Sequence, residues 1–330
     1  MKKGLNKNLL ICLLGVILIV AGVVLGVLNG PEKKQEKKEE KKEEVTITPL
    51  MYEVTKEGSD NKIYLFGSVH VGKDMKFPEY VEKAWADSDY LAVEYNILTQ
   101  IEEMQVNGVD ETTNYYPDGT LLKDHLDEEL YTKLIELLKE KGIYDEKYEK
   151  YTVDAIEDVL SSYFVSKGGY SAFEGVDLVL LNRAKKENKQ VLEVESREFQ
   201  DQLFAGFPER LHVITVGGIV KDIDRGVEEL NALYEAWKKG DPDKIYELSK
   251  SDFSEEDLAE LSEEDQKIIE QYNIDMLDNR NVAMAEKFDM YFNSNQKVLF
   301  TVGCAHLVGP NGIAKLLEQK GYTVTQVNIK

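Results

Sequence analysis

Short apolar runs and longer stretches with a helical period alternate along the chain from about residue 45 onward. Six short runs are rich in Val, Ile, Leu, Tyr and Phe and are bounded by Gly, Asn or charged residues, which predicts β-strands. These runs cover residues 51–55, 62–66, 90–93, 190–194, 298–302 and 323–329. Because they are apolar throughout rather than alternating, we expect both faces of the strands to be covered, as in an α/β layer fold.

The apolar period changes to 3.6 residues in two blocks between the strands, at about residues 121–188 and 208–292. In the first block, "HLDEELYTKLIELLKEKG" predicts a helix that ends at Gly142, because glycine commonly follows a helix C-terminus. The order of elements predicts an α/β or α+β fold with a mixed sheet built from both ends of the chain. We expect the helical insertions to form a cap over one end of that sheet.

The first thirty residues have the composition of a membrane-spanning helix. Residues 9–28 are all apolar or small, and about 20 such residues span a bilayer core. The run is longer than the apolar centre of a signal peptide and lacks a good cleavage site, which predicts an uncleaved signal anchor over residues 1–30. Residues 31–48 are predicted to be a charged Lys/Glu tether, and residues 49–330 the folded domain.

The orientation of the anchor follows from two competing features. Lys33 and Lys34 lie just after the span, so the positive-inside rule taken alone places the domain in the cytoplasm. The tether, however, carries both charge signs in equal number, and long trailing domains are exported largely regardless of charge. We therefore expect a single-pass protein of the cell membrane with an extracytoplasmic C-terminal domain.

Charge and cysteine content narrow the classes of partner. The formal net charge of −22 disfavours nucleic acid and anionic lipid head groups as ligands, but not a cationic peptide or a metal ion. The two cysteines are Cys12, inside the predicted anchor, and Cys304, so no disulfide is expected within the domain. Cys304 is interpreted as a small packed residue, with a thiol ligand or nucleophile as the alternative.

Two of the four histidines end nearly the same motif, a short apolar strand followed by Gly-x-x-His. The motifs run from Gly67 to His70 and from Gly303 to His306. Each glycine is expected to permit a sharp turn through a positive φ, which presents the histidine at the edge of the sheet. If the strands are neighbours, the two imidazoles can share a ligand, and with carboxylates they suit Zn, Mn, Co or Fe. The alternative is a pair of structural histidines.

Carboxylates and one arginine are candidates for the same edge. Glu94 ends the apolar strand in "SDYLAVEYN", and Glu193 and Glu195 end the strand in "QVLEVES". A buried anion at a strand end is costly unless a cation offsets it, which makes Glu94 the most informative. Arg280, in "MLDNRNVAMAEKF", can pair a carboxylate or hold an oxyanion, or can form a surface ion pair. His125 and His212 lack the strand and glycine setting and are interpreted as structural.

Five segments resemble the TraB/GumN family, in order and over most of residues 50–330: "YLFGSVHVGKDMKFP", "LAVEYN", "FEGVDLVLLNRAKKENKQVLEVESREFQ", "DNRNVAMAEKF" and "VLFTVGCAHLVGPNGIAKLLEQKGYTV". That family includes pheromone-shutdown proteins of conjugative plasmids and the animal TIKI Wnt proteases. The resemblance implies a metal-dependent peptidase fold related to the erythromycin esterase and ChaN group. The site it implies consists of His70, His306, Glu94 and Arg280, with Gly67 and Gly303 shaping the loops and Glu193 as a further ligand.

These features predict a membrane-anchored, extracytoplasmic metal-dependent hydrolase that acts on a peptide or protein substrate and not on nucleic acid. His70 and His306 are expected to bind a divalent ion, Mn, Co or Zn, and Glu94 to be a further ligand or the general base. Arg280 is expected to steady an oxyanion or to orient Glu94. The alternatives are a metal-independent His/Glu esterase and a non-catalytic protein that binds a peptide, haem or iron.

Overall fold

A computed structural model of the protein describes residues 47–73, 75–249 and 261–327. The predicted signal anchor and nearly all of the predicted tether lie outside these residues. Within the described ranges, no single helix is long and apolar enough to cross a membrane. One pair of helices, Arg197–Ala205 and Glu209–Lys221, meets the length and composition only when taken together, and it is bent by 80°.

Six strands form one mixed sheet, and they correspond to the six predicted runs. They are β1 (Met51–Lys56), β2 (Lys62–Ser68), β3 (Tyr90–Val93), β4 (Gln190–Glu193), β5 (Val298–Gly303) and β6 (Tyr322–Gln326). Their order across the sheet is β4-β3-β5-β2-β1-β6. The first four in this order are parallel to one another, whereas β1 is antiparallel to both β2 and β6. The predicted mixed α/β sheet is therefore confirmed, with edge strand β4 supplied by the middle of the chain.

The burial of the strands follows their position in the sheet. Residues 298–302 of the central strand β5 are all buried, and β2 is buried beyond its first residue. The edge strand β4 is partly exposed along its length, and β1 is buried only at Met51 and Val54. Strands covered on both faces need apolar residues at every position, which explains why the central strands read as continuous apolar runs.

Helices occupy both of the predicted blocks. In chain order they are α1 (Glu79–Asp87), α2 (Ile97–Asn107), α3 (Leu122–His125), α4 (Glu128–Glu140), α5 (Val153–Lys167), α6 (Val176–Glu187), α7 (Arg197–Ala205), α8 (Glu209–Lys221), α9 (Ile223–Lys239), α10 (Pro242–Ser249), α11 (Glu263–Asn273), α12 (Asn279–Asn293), α13 (Cys304–Leu307) and α14 (Ile313–Gln319). A π turn, Ile274–Asp278, joins α11 to α12. Gly142 has φ +72° just past α4, as its predicted role after the helix end requires.

Two hydrophobic clusters hold the described residues together. The main core surrounds the sheet. A second, smaller group, which we call the outer cluster, has Leu211, Ile269, Tyr272 and Met276 at its centre. These residues belong to α8, α11 and the π turn, and Arg210 of α8 also forms a bidentate ion pair with Asp265 of α11, with N···O distances of 2.7 and 2.8 Å. The outer cluster therefore packs α8 against the helix that leads into α12.

Candidate active site

The sheet register places the two Gly-x-x-His motifs side by side. Strands β2 and β5 pair in parallel with Ser68 opposite Gly303, and β3 pairs in parallel with the other side of β5. The residues that follow these strands consequently meet at one edge of the sheet. A Cβ atom built on Gly303 would lie 3.4 Å from Glu94 Oε1, 3.4 Å from His306 Cδ2 and 3.8 Å from His70 Nε2. The three side chains thus surround a single point.

The two glycines do not have the backbone conformation predicted for them. Neither has a positive φ, and Gly303 has φ −47°. Gly67 lies inside β2, where an added Cβ would come within 3.0 Å of the Cβ of Cys304. The expectation of a left-handed turn was wrong. Glycine at position 67 allows β2 and α13 to approach each other closely, whereas a Cβ on Gly303 would make only ordinary van der Waals contacts with the site side chains.

Both imidazoles are held through Nδ1. His70 Nδ1 lies 2.8 Å from Asp177 Oδ2, and His306 Nδ1 lies 2.7 Å from Asn281 Oδ1. The Asn281 amide is oriented by its other end, since its Nδ2 donates to the carbonyl of Asn311 at 3.0 Å. Carboxylate and amide oxygens only accept, so in the neutral rings the proton is on Nδ1 and the lone pair is on Nε2. Each Nε2 therefore offers an acceptor or ligand atom.

Asp177 reaches His70 because the start of α6 packs against the first motif. The N–H of Val176 donates to the carbonyl of Val69 at 2.9 Å. A Cβ on Gly175 would lie only 2.4 Å from the carbonyl oxygen of His70, so no larger residue fits there without moving the loop. This close backbone contact puts the first turn of α6, and with it the Asp177 carboxylate, beside the imidazole.

Glu94 is a buried carboxylate with a full set of donors. Its side chain accepts from the N–H of Gly303 at 2.8 Å, from Arg280 Nη2 at 2.7 Å and from Gln200 Nε2 at 3.2 Å. Burial alone would raise the pKa of Glu94, but the Arg280 guanidinium, with smaller contributions from His306, His70 and the Gly303 N–H, outweighs it and lowers the pKa to about 2. Glu94 is thus ionised at neutral pH.

Arg280 is buried and bridges two carboxylates. Its Nη2 and Nε donate to Glu195 at 2.8 Å each, in addition to the bond to Glu94, and its Nη1 donates to the carbonyl of Met276 at 3.3 Å. The side chain is 1% exposed, which excludes the alternative of a surface ion pair. The guanidinium therefore fixes the positions of both carboxylates relative to α12.

The structure brings Glu195, and not Glu193, to this cluster. Glu193 is exposed, and its carboxylate accepts from the N–H of Asn96 at 2.8 Å. The backbone bends at Val194 and Glu195 directly after β4 ends, so the two glutamates no longer share a strand face. The prediction of Glu193 as a further ligand is not supported by this placement.

Comparison with known proteins agrees with the order of motifs along the chain. The TraB/PrgY/gumN family matches residues 50–326, which include every element of the site. The chain belongs to the TraB/PrgY/gumN family. It is 28% identical over 160 residues to an uncharacterized protein, YbaP, of Escherichia coli K12 and to the YbaP of Shigella flexneri. In both cases the match spans 48% of this chain and 57% of the relative. No solved structure shows significant similarity to the chain.

The pKa values of the two imidazoles of this TraB/PrgY/gumN family member are shifted in opposite directions. Burial, assisted by the nearby Arg280 charge, lowers the pKa of His306 to about 3. Burial also disfavours the charged form of His70, but the Asp177 carboxylate outweighs it and raises the pKa of His70 above its ordinary value. His306 is therefore neutral over the physiological pH range, whereas His70 is the more basic of the two.

The remaining histidines and Cys304 do not contribute donors to the cluster. His212 Nδ1 lies 2.8 Å from a buried carboxylate oxygen of Glu157, and His125 stacks on Tyr116 with ring centroids 3.5 Å apart. Cys304 is buried, and burial raises the pKa of its thiol to about 12. The thiol is therefore protonated at neutral pH, in agreement with its interpretation as a packed residue.

The site fits a divalent ion in part. Nδ1 atoms anchored to acceptors, with free Nε2 lone pairs, are typical of metal-binding histidines. Glu94, in contrast, already accepts three hydrogen bonds. In the part of the chain that the structure describes, no group of three or more His, Cys, Asp or Glu side chains is arranged to hold a metal. The donors that suit an ion are thus the two imidazoles.

Three residues of the cluster were not predicted from the sequence. They are Asp177, Gln200 and Asn281, and all three lie on helices. Asn281 directly follows Arg280, so a polar pair on the buried face of α12 was the available signal. Asp177 in the first turn of a helix and Gln200 in an amphipathic helix are ordinary in sequence, and no local pattern distinguishes them.

Proposed function

We propose that this TraB/PrgY/gumN family member is a hydrolase of peptide or protein substrates that activates water at His70, His306 and Glu94. The observation that carries the proposal is the convergence of two Nε2 atoms, each anchored through Nδ1, on a buried ionised carboxylate at one edge of the sheet. Hydrolysis requires a positioned group that removes a proton from water, and this arrangement supplies one. The peptide substrate is inferred from the family resemblance and agrees with the acidic charge of the chain.

His70 is the proton acceptor in this proposal. Its Nε2 takes a proton from water as the water oxygen attacks the substrate carbonyl carbon, and the proton is later returned to the leaving amine. Asp177 stabilises the imidazolium that forms, because its carboxylate lies 2.8 Å from Nδ1. The raised pKa of His70 supports this role over the same role for His306.

Glu94 and Arg280 act by charge and position. Because Arg280 keeps Glu94 ionised, the carboxylate is an acceptor that orients water, and it does not deliver a proton. Both N–H groups on Nη2 and the N–H group on Nε of Arg280 donate to the Glu94 and Glu195 carboxylates. Of the two roles expected for Arg280, orienting Glu94 is therefore favoured over holding an oxyanion.

A divalent ion of Mn, Co or Zn, when held by His70 and His306, would lower the pKa of a bound water and polarise the scissile carbonyl. An Nε2 atom that binds an ion has no lone pair left to accept a proton, so His70 can act as the proton acceptor only in the ion-free site. Whether the chain binds an ion is therefore a separate question for experiment. Metal analysis of the purified chain, followed by assays after chelation and after addition of each ion, answers it. Loss of bound metal in His306→Ala would support the imidazole site.

The test of hydrolysis is a peptide-library assay with the full chain purified in detergent. Wild type should cleave a subset of peptides, and His70→Ala, His306→Ala and Glu94→Gln should not. Cleavage that persists in all three variants, or a folded wild type that cleaves nothing with any ion, contradicts the proposal. The proposed location, anchored with the domain outside the cytoplasm, is tested by protease digestion of intact cells, which should remove the domain.

A further inference from the structure

A pocket of about 430 Å³ lies beside the candidate active site. It is bounded by the π turn, the start of α12 and the segment that follows His306. Its volume is within the range of about 300 to 1,000 Å³ that is usual for ligand pockets. None of the side chains proposed to react with water lines this pocket.

The pocket and the active site share a wall. Ala305, which directly precedes His306, lines the pocket, and so does Asn281, whose Oδ1 lies 2.7 Å from His306 Nδ1. None of His70, Glu94 and His306 lines the pocket, so a substrate side chain bound there lies beyond Asn281, on the Nδ1 side of His306. This position suits a subsite that selects a substrate side chain at a distance from the reacting atoms.

The lining of the pocket is acidic and partly apolar. Asp278 and Glu270 carry its charge, and none of the described lining residues is Lys, Arg or His. Leu277 and Val308 supply apolar surface. A long cationic side chain suits this combination, since its methylene stem packs on apolar residues while its charged end pairs a carboxylate.

Asp278 is fixed in place, whereas Glu270 is an exposed residue. Asn311 Nδ2 donates to Asp278 Oδ2 at 2.9 Å, and the carbonyl of Asn311 accepts from Asn281 Nδ2 at 3.0 Å. Asn281 in turn holds His306, so a continuous series of hydrogen bonds joins Asp278 to the imidazole. A cation at Asp278 therefore binds at one end of the network that orients His306.

We infer that this acidic pocket binds a Lys or Arg side chain of the peptide substrate and that Asp278 is the specificity-determining residue. The inference rests on the proposed hydrolase function. It assigns a substrate class to that function, peptides that carry a basic residue on the side of the cleaved bond that reaches this pocket. Glu270 adds long-range attraction for the same charge at the exposed side of the pocket.

The test compares matched peptides that differ only by Lys or Gln at one position, using the full chain in detergent. Wild type should prefer the Lys peptide in kcat/KM, and Asp278→Asn should reduce that preference about five- to tenfold. Asparagine can still accept from Asn311, so the fold is kept. Glu286→Gln is the control, because it removes one exposed carboxylate of α12 outside the pocket. An unchanged Lys preference in Asp278→Asn overturns the inference.

A binding measurement distinguishes failure of this inference from failure of the proposed function. In the Glu94→Gln background, fluorescence anisotropy of labelled Lys and Gln peptides should show tighter binding of the Lys peptide. Adding Asp278→Asn should remove the difference, and adding Glu286→Gln should leave it. Lys-selective binding without any cleavage by wild type would retain the pocket and reject the hydrolase. Cleavage by wild type together with equal binding of the two peptides would retain the hydrolase and reject the pocket.

Discussion

The candidate site has two halves that differ in origin. The strand half consists of His70, Glu94, Gly303 and His306, which follow or end parallel strands of the sheet. The helix half consists of Asp177, Gln200, Arg280 and Asn281, which lie on α6, α7 and α12. The strand half offers the atoms that can react with water or bind an ion. The helix half sets their orientation, tautomer and charge.

The two halves are also held in place by different hydrophobic clusters. The strand half is fixed by the register of buried strands within the main core. Part of the helix half is tied to the outer cluster, because Met276 belongs to that cluster and its carbonyl accepts from Arg280. The comparison indicates that changes to the strand half should affect reactivity most directly. Changes to the helix half should affect stability and the protonation of the imidazoles.

The largest effect is expected in the strand half. Glu94→Gln removes the central charge of the site while keeping its shape, and we expect kcat/KM to fall by about 10²- to 10⁴-fold. Glu193→Gln is the matched control, since its exposed carboxylate lies outside the cluster, and it should retain near wild-type activity. An equal loss of kcat/KM in both variants would contradict the assignment of Glu94, and not Glu193, to the site.

The next largest effect is on stability, in the helix half. Arg280→Met leaves two buried carboxylates without their cation, and we expect a loss of about 3 to 5 kcal/mol in the free energy of unfolding. Arg197→Met removes a partly exposed ion pair to Glu103 and should cost less than about 1 kcal/mol. Urea denaturation of the two variants measures both values. Similar losses would mean that the buried pairs contribute no more than a surface pair.

A smaller change in activity is expected from Asn281→Ala. Loss of its Oδ1 leaves His306 Nδ1 without an acceptor, and effects of about 10- to 100-fold are usual for such orienting residues. Asn281→Asp restores an acceptor and should recover part of the activity. Imidazole ¹⁵N shifts report the tautomer of His306 directly. Unaltered shifts in the alanine variant would argue against the orienting role.

The smallest effect is a displacement of the pH profile. The Asp177 carboxylate raises the pKa of His70, and a general base is active only when it is deprotonated, so kcat/KM should decline as pH falls through that raised pKa. In Asp177→Asn the acid limb should move to lower pH. Glu94 and His306, with pKa values of about 2 and 3, do not titrate between pH 5 and pH 8. A limb that stays in place contradicts the assignment of His70 as base.

The strand half could be predicted from the sequence because its signals are local. A buried strand covered on both faces is a short apolar run, and a polar residue at its end is visible in the sequence. Two such ends with the same Gly-x-x-His motif predicted that β2 and β5 are neighbours. The role of Gly67 could not be predicted in the same way, because its close contact with Cys304 joins residues far apart in the chain.

The helix half was largely hidden for the same physical reason. Asp177 and His70 are 107 residues apart, and Gln200 and Glu94 are 106 apart, so their contacts depend on how helices dock onto the sheet. The choice between Glu193 and Glu195 depended on a backbone bend after β4 that strand periodicity does not reveal. Arg280 was identified through its residue type, since few roles suit a guanidinium on an otherwise apolar helix face.

The π turn between α11 and α12 explains how one helical run serves two sites. In a regular α-helix, residues 11 apart such as Ile269 and Arg280 point in directions only about 20° apart. The extra residue of a π turn rotates the following helix by about 100°, so that Ile269 enters the outer cluster while Arg280 faces the sheet. Shortening this turn by one residue would give a straight regular helix with both faces preserved. The same deletion within α12 would turn all later side chains away from their partners.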